Sequence, residues 1–110
     1  MGLKFFLDDI REPPSAEWVW FDSAHSMIEA LSALNKEVEI ISLDHDLGEE
    51  KIYGTGYDVI LWIEAEVYTN LKFNCPIIIL HTQNPVGLAK MRAAIVSINK
   101  HKFNNKLLQR

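Results

Sequence analysis

The chain has few of the residues that cross-link a protein or cross a membrane. Cys75 is its single cysteine, so the sequence holds no disulfide framework and no thiolate metal cage. No apolar run approaches the roughly 20 residues of a membrane-spanning helix. The first residues turn acidic too early for a secretory signal. We therefore expect a cytoplasmic protein that has no membrane partner.

Acidic residues are missing from the second part of the chain. Residues 67–110 contain no aspartate or glutamate and seven basic residues, whereas residues 1–66 hold all 15 acidic residues and only four basic ones. This asymmetry indicates either a charged partner or two segments that complement each other within one domain. The overall pI of about 5.5 argues against general DNA binding, because phosphate attraction requires positive charge. The oligomeric state stays open.

The 110 residues predict one globular domain, with residues 100–110 as a basic C-terminal tail. Apolar runs predict strands at Leu3–Leu7, Val38–Leu43 and residues 75–80, and the aromatic segment Trp18–Phe21 predicts another. Helical spacing follows at residues 23–35, after Thr55 and after Pro85. Strands that alternate with helices predict an α/β fold with a parallel sheet.

Loop and cap signals separate these elements. Residues 49–54 are polar and predict a loop. Thr55 stands three residues before Asp58, as in a capping box. Asn84 and Pro85 are a typical cap and first-turn pair for the last helix. Trp18, Trp20 and Trp62 are interpreted as core or rim packing residues; the alternative is a platform on which bases stack.

Carboxylates follow two of the apolar strands at the point where each strand ends. Asp8 and Asp9 follow the first strand, and Asp44 and Asp46 follow the run at Val38–Leu43. The carboxyl ends of parallel strands meet at one edge of a sheet, where ligands bind. Close carboxylates repel each other, and a divalent cation that takes oxygen ligands, Mg²⁺ or Mn²⁺, relieves this repulsion. All four are candidate metal ligands; the alternative is that single members cap helices or line a solvated loop.

Two histidines and two polar residues lie at the same predicted edge. His45 and His81 are candidate general acids or bases, since the unperturbed pKa of histidine lies nearest neutrality. In an extended segment His45 points away from Asp44 and Asp46, and periodicity does not place His81 in the cleft. A structural hydrogen bond is the alternative for His81. Thr82 and Asn84 are candidate phosphate ligands, although Asn84 is favoured as a helix cap.

These strand ends resemble those of response-regulator receiver domains. The segment LDD resembles the receiver's acidic pair, and LD at residues 43–44 resembles the strand end with the phosphoacceptor aspartate. The phosphate-pairing lysine of receivers is not evident. A closer resemblance is to the cyclic-phosphate-processing receiver-like domains, through the segments LDDIREPP, ISLDHDLG, GYDVILWIE and HTQNPVG. This resemblance implies a flavodoxin-like three-layer αβα sandwich with about four mostly parallel strands, and a role in processing cyclic phosphates.

The favoured hypothesis is a divalent-metal-dependent phosphoesterase that acts on a cyclic phosphate, either a cyclic nucleotide or an RNA end. In it, Asp44, His45, His81 and Thr82 are the catalytic candidates, and Thr82 and Asn84 contact the substrate. The alternatives are a non-enzymatic receiver that accepts phosphate on Asp44 and a module that only binds a nucleotide or a partner protein. The expected partner is a phosphate-containing small molecule or RNA end.

Overall fold

Four parallel strands form one sheet, in the order β2-β1-β3-β4. The structure is a computed structural model that describes residues 2–108, without the side chains of residues 106–108. The strands are β1 (Leu3–Leu7), β2 (Trp18–Phe21), β3 (Val38–Leu43) and β4 (Ile77–Leu80). The first three match their predicted bounds. β4 begins two residues later than predicted, after Pro76, whose nitrogen has no hydrogen to donate to a neighbouring strand.

Four α-helices connect or follow these strands. They are α1 (Ala24–Leu34), α2 (Glu50–Tyr53), α3 (Gly56–Thr69) and α4 (Pro85–Leu108), and a 3₁₀ turn at Asn35–Glu37 follows α1. Ser23 caps α1 by accepting from the backbone N–H of Ser26. The predicted capping box of Thr55 and Asp58 is present at the start of α3.

One loop prediction is wrong. Residues 49–54 contain the single helical turn α2, because the carbonyl oxygen of Glu49 accepts from the N–H groups of Ile52 and Tyr53. Gly54 then ends the turn with a φ of 69°, a conformation that favours glycine. This turn separates the acidic segment after β3 from α3.

The hydrophobic core lies between one face of the sheet and the helices. Phe5, Leu7, Ile41 and Leu43 point from β1 and β3 into a cluster that also takes buried side chains from α1, α3 and α4. The chain steps from β2 to β3 and from β3 to β4 in the same direction across the sheet. Right-handed crossovers therefore place α1 and α3 on the same face. The four-stranded parallel sheet with helices confirms the predicted α/β class. The helices that pack on the core form the layer on this face of the sheet.

The opposite face of the sheet is apolar and partly open. Phe6 is buried there by the rings of Trp18 and His81. Ile77 and Ile79 are 60% and 44% exposed on the same face of β4.

Helix α4 is longer than the sequence pattern indicated. Residues 100–108, expected as part of a basic tail, continue this helix, and the Nδ2 group of Asn105 donates to the carbonyl oxygen of Val67 at the end of α3. Residues 109 and 110 of the expected tail lie outside the described residues. Within residues 2–108, no helix combines the length and the apolar composition that a membrane crossing needs.

Candidate metal and phosphate site

The ends of β1, β3 and β4 meet at one edge of the sheet and surround an open cavity of about 460 Å³. Backbone bonds hold the three ends together: the N–H of Asp44 donates to Leu7, and the N–H of His81 donates to Leu43, each across 3.0 Å. Predicted site residues that line the cavity are Asp8, Asp9, Asp44, Asp46, His81, Thr82 and Asn84. His45 is the one candidate that does not line it.

Three carboxylates cluster in this cavity. Asp8, Asp9 and Asp44 each offer one oxygen, and these three oxygens lie within 4.8 Å of one another. Asp8 is buried, Asp44 is half-buried and Asp9 is exposed, so the cluster opens toward solvent on one side. A set of carboxylate oxygens with an open side suits a hard divalent cation that keeps several waters. The cluster could therefore bind such a metal.

Asp8 is the fixed member of the cluster. Its Oδ1 accepts from the backbone N–H groups of Ile10 (3.0 Å) and Arg11 (2.9 Å), and its Oδ2 accepts from Nε2 of His81 (3.0 Å). Burial opposes the charge, but these donors outweigh burial and lower the pKa of Asp8 below its ordinary value. Asp8 is therefore an ionised, oriented carboxylate with only 3% of its surface exposed.

Asp44 and Asp46 have different surroundings. Oδ1 of Asp44 accepts from the backbone N–H of His45 at 2.8 Å, which orients the carboxylate at the end of β3. Asp46 accepts from Nδ1 of His45 (2.9 Å) and from Nδ2 of Asn84 (3.1 Å). The bond to His45 is the main cause of the lowered pKa of Asp46. Among residues 2–108, Asp46 is outside the three-carboxylate cluster, although it lines the cavity.

His45 faces the interior. The residue is 7% exposed, and a Cβ at Gly87 would overlap its ring. The absence of a side chain at Gly87 therefore lets the start of α4 pack on the imidazole. Its Nε2 is buried and has no hydrogen-bond partner among the described residues. His45 does not line the cavity that Asp46 lines, although its Nδ1 bonds to the Asp46 carboxylate. This placement argues against contact between His45 and a substrate.

His81 lies in the cavity wall with both ring nitrogens bonded. Nε2 faces Asp8, and Nδ1 lies 2.8 Å from Oγ of Ser42. The ring also stacks on Phe6, with centroids 4.4 Å apart and an interplanar angle of 4°. An ionised carboxylate only accepts, so Nε2 carries the proton. His81 thus orients Asp8, as the alternative of a structural hydrogen bond anticipated.

Thr82 and Asn84 shape the turn between β4 and α4. Oγ1 of Thr82 accepts from the N–H of Asn84, and Oδ1 of Asn84 accepts from the N–H groups of Val86 and Gly87, all at 3.1 Å. The favoured role of Asn84 as the cap of α4 is therefore present. Both side chains still line the cavity, where Thr82 keeps a hydroxyl hydrogen to donate.

Arg11 is a cavity residue that sequence reasoning did not single out. Its Nη1 donates to the carbonyl oxygen of His81 at 3.3 Å, and it is the one lysine or arginine among the described residues that line this cavity. The signal was a cation two residues after an acidic pair, in a segment with only four basic residues. Ser42 was also missed; its signal was a hydroxyl between the apolar residues Ile41 and Leu43 of a buried strand.

Together, the parallel order of the sheet and the acidic strand ends define a receiver-like α/β domain. A comparison with family models matches residues 3–97 to the cyclic-phosphate processing receiver domain. The chain belongs to this family, as its motifs predicted. Neither the comparison with curated proteins nor the comparison with solved structures gives a match.

Proposed function

We propose that the protein is a divalent-metal-dependent phosphoesterase that opens a cyclic phosphate. The observation that carries the proposal is that the three-carboxylate cluster and Arg11 line the same cavity. Carboxylates alone repel a phosphate, and a cation held between them reverses that repulsion. The family's description names the substrate class, a cyclic phosphate.

Asp8, Asp9 and Asp44 would hold Mg²⁺ or Mn²⁺. Bound there, the ion would polarise the phosphoryl group of the substrate. Arg11 would donate to a phosphoryl oxygen, because its planar guanidinium matches two oxygens at once. Thr82 would donate its hydroxyl to another oxygen. These contacts fix the phosphorus in place, and orientation of this kind lowers the barrier to attack.

In the reaction, water attacks phosphorus and one of the two ester P–O bonds breaks. The water gives up one proton, and the freed ester oxygen takes one up, which leaves a phosphate monoester beside a free hydroxyl group. His81 would maintain the orientation of Asp8 during this step, since both of its nitrogens are already bonded. The substrate would be a phosphate-containing small molecule or RNA end in the cytoplasm.

The test is incubation with Mg²⁺ or Mn²⁺ and a panel of cyclic nucleotides and RNA that ends in a cyclic phosphate, with products separated by chromatography. Asp44→Asn should abolish turnover because it removes a charge from the cluster. Glu29→Gln is the matched control, since Glu29 is an exposed carboxylate on α1 whose side chain pairs with His25. A full rate in Asp44→Asn, or no metal-dependent product from any substrate, would refute the proposal.

A second function is a phosphate-accepting receiver without esterase activity. The observation that favours it is the position of Asp44 at the end of the inner strand β3, where receivers have their phosphoacceptor. Incubation with a small phosphodonor should then add the mass of one phosphoryl group, and Asp44→Asn should prevent the addition. Tight binding of an intact cyclic nucleotide, with neither turnover nor mass shift, would instead indicate a binding module.

A further inference from the structure

A second cavity adjoins the proposed metal site. It has a volume of about 370 Å³ and is lined by Asp9, Trp20 and Asp22. Asp9 also lines the cavity of the candidate metal and phosphate site, so the two cavities share this residue. The function proposed above leaves this second cavity unused.

Trp20 is a fixed and exposed aromatic side chain in this second cavity. It is 44% exposed, although it belongs to the strand β2. Its Nε1–H donates to the carbonyl oxygen of Asp8 at 2.8 Å. This bond fixes the indole beside the buried member of the three-carboxylate cluster. Trp18 and Trp62, in contrast, pack against Phe6 and Phe73. No such ring partner is found for Trp20 among the described side chains, so its indole remains available to a ligand.

The remaining wall of the cavity selects the chemistry of that ligand. Asp9 and Asp22 are carboxylates, which accept hydrogen bonds and repel a second phosphate. The suitable occupant is flat enough to stack on an indole and offers hydroxyl or amino hydrogens. A nucleoside has both properties, because every base has a π-face and ribose supplies hydroxyl donors.

We infer that this cavity is a nucleoside subsite, so that the substrate of the proposed phosphoesterase is a nucleoside cyclic phosphate whose base stacks on Trp20. The inference rests on the proposed function for the position of the phosphate. Asp22 accepts from a ribose hydroxyl or a base amino group. The cyclic phosphate lies at the cluster, and the base lies on the other side of Asp9. A free mononucleotide and the last nucleotide of an RNA end share the base and its amino group. A free ribose hydroxyl belongs to the mononucleotide alone, because the 2′, 3′ and 5′ oxygens of the RNA end are all esterified.

The experiment compares a ligand with a base and a ligand without one, in the presence of Mg²⁺. The probes are adenosine 2′,3′-cyclic phosphate, a short RNA ending in the same group and glycerol cyclic phosphate. Binding is followed by calorimetry, and turnover by chromatography. The variants are Trp20→Leu, Trp20→Phe and Trp62→Phe. Both Trp20 variants lose the bond to Asp8, so the difference between them isolates stacking.

Trp20→Leu should weaken binding of the adenosine ligand by about 5-fold or more, the size expected for loss of one base–aromatic stack. It should leave the glycerol ligand unaffected within about twofold, and Trp20→Phe should recover most of the loss. Trp62→Phe should bind like the wild type. The RNA probe follows the same pattern if the subsite takes an RNA end, and its failure to bind assigns the subsite to the free nucleotide.

Two results would overturn the subsite. One is equal binding of the adenosine and glycerol ligands to the wild type, and the other is an equal loss for both ligands in Trp20→Leu. If the glycerol ligand is hydrolysed as efficiently as the nucleotide, the subsite is refuted while the esterase stands. If nothing is hydrolysed but nucleotide binding depends on Trp20, the subsite stands and the esterase is refuted.

Discussion

His81 and Asp8 are joined across 3.0 Å, from Nε2 to Oδ2, over the end of β3, which lies between β1 and β4 in the sheet. Ser42 on β3 contacts the other ring nitrogen of His81, so three adjacent strands contribute to one chain of hydrogen bonds. In many metal sites, a carboxylate or backbone carbonyl bonds to the free ring nitrogen of a histidine ligand and fixes the orientation of that ring. Here the order is reversed, because the histidine fixes the carboxylate. We therefore expect His81 to act as a positioning residue.

Replacement of His81 should separate a positioning role from proton transfer. His81→Gln can keep a nitrogen donor toward Asp8 but has no group that titrates near neutrality. We expect it to retain Mn²⁺ affinity and turnover within about tenfold, whereas His81→Ala should lose about 10- to 100-fold in Mn²⁺ affinity. Calorimetric titration with Mn²⁺ and steady-state rates measure both effects. Normal Mn²⁺ affinity with no turnover in His81→Gln would instead identify His81 as an acid or base.

The carboxylate cluster should reduce the stability of the metal-free protein. Asp9→Asn removes one of three close negative charges, and we expect the free energy of unfolding without metal to rise by about 1 kcal/mol, the size of one close pair in water. The same variant should lose the stabilisation that Mg²⁺ gives to the wild type, since binding to the folded state adds stability by mass action.

Urea unfolding with EDTA and with excess Mg²⁺ measures both changes. Glu29→Gln is the control, because it removes an exposed carboxylate outside the cluster. If Asp9→Asn lowers stability in EDTA and is still stabilised by Mg²⁺ like the wild type, the cluster does not bind the ion.

The sequence was most informative about the strands and about which residues meet. Strands of a buried parallel sheet are rich in apolar residues, so Leu3–Leu7 and Val38–Leu43 could be bounded to the residue although they contain Lys4 and Glu39. The rule that ligands bind at the carboxyl ends of such strands placed Asp8 and Asp44 in one cavity. The single turn α2 was missed because four residues are too short to show helical periodicity.

Side-chain directions beyond the strand ends could not be predicted. The alternation of a strand stops where the strand stops, so nothing in the sequence indicated that His81 bonds to Ser42 or that His45 packs on Gly87. Trp20 was expected to pack. Its exposure follows from the open face of the sheet, a tertiary property that local composition does not encode.

Acid should destabilise the protein partly through Asp8. Its folded pKa lies below its ordinary value of 3.8, because Ile10, Arg11 and His81 donate to the carboxylate and outweigh the opposing effect of burial. The stability from these bonds is fully present above the unfolded pKa and is lost as the pH falls through the lowered folded pKa. Urea unfolding in EDTA from about pH 5 to pH 2 should show this decline.

The matched variant for this prediction is Asp8→Asn, which keeps an oxygen acceptor but does not titrate. It should be less stable than the wild type above the unfolded pKa and should show a shallower decline with acid. Equal slopes for the two proteins would show that the bonds to Asp8 do not favour its charged form.

Gly87 should tolerate no side chain. Replacing an exposed helical glycine with alanine usually stabilises a helix by about 1 kcal/mol. At Gly87 a Cβ would instead overlap the ring of His45. We therefore expect Gly87→Ala to lower the free energy of unfolding by about 1–3 kcal/mol, which is the usual cost of adding a group to a packed interior. In a His45→Ala background, Gly87→Ala should lower the free energy of unfolding by less than it does in the wild type, because the overlapping ring is gone. Urea unfolding of the four proteins gives the coupling energy. Additive effects would mean that the His45 ring does not pack on the start of α4.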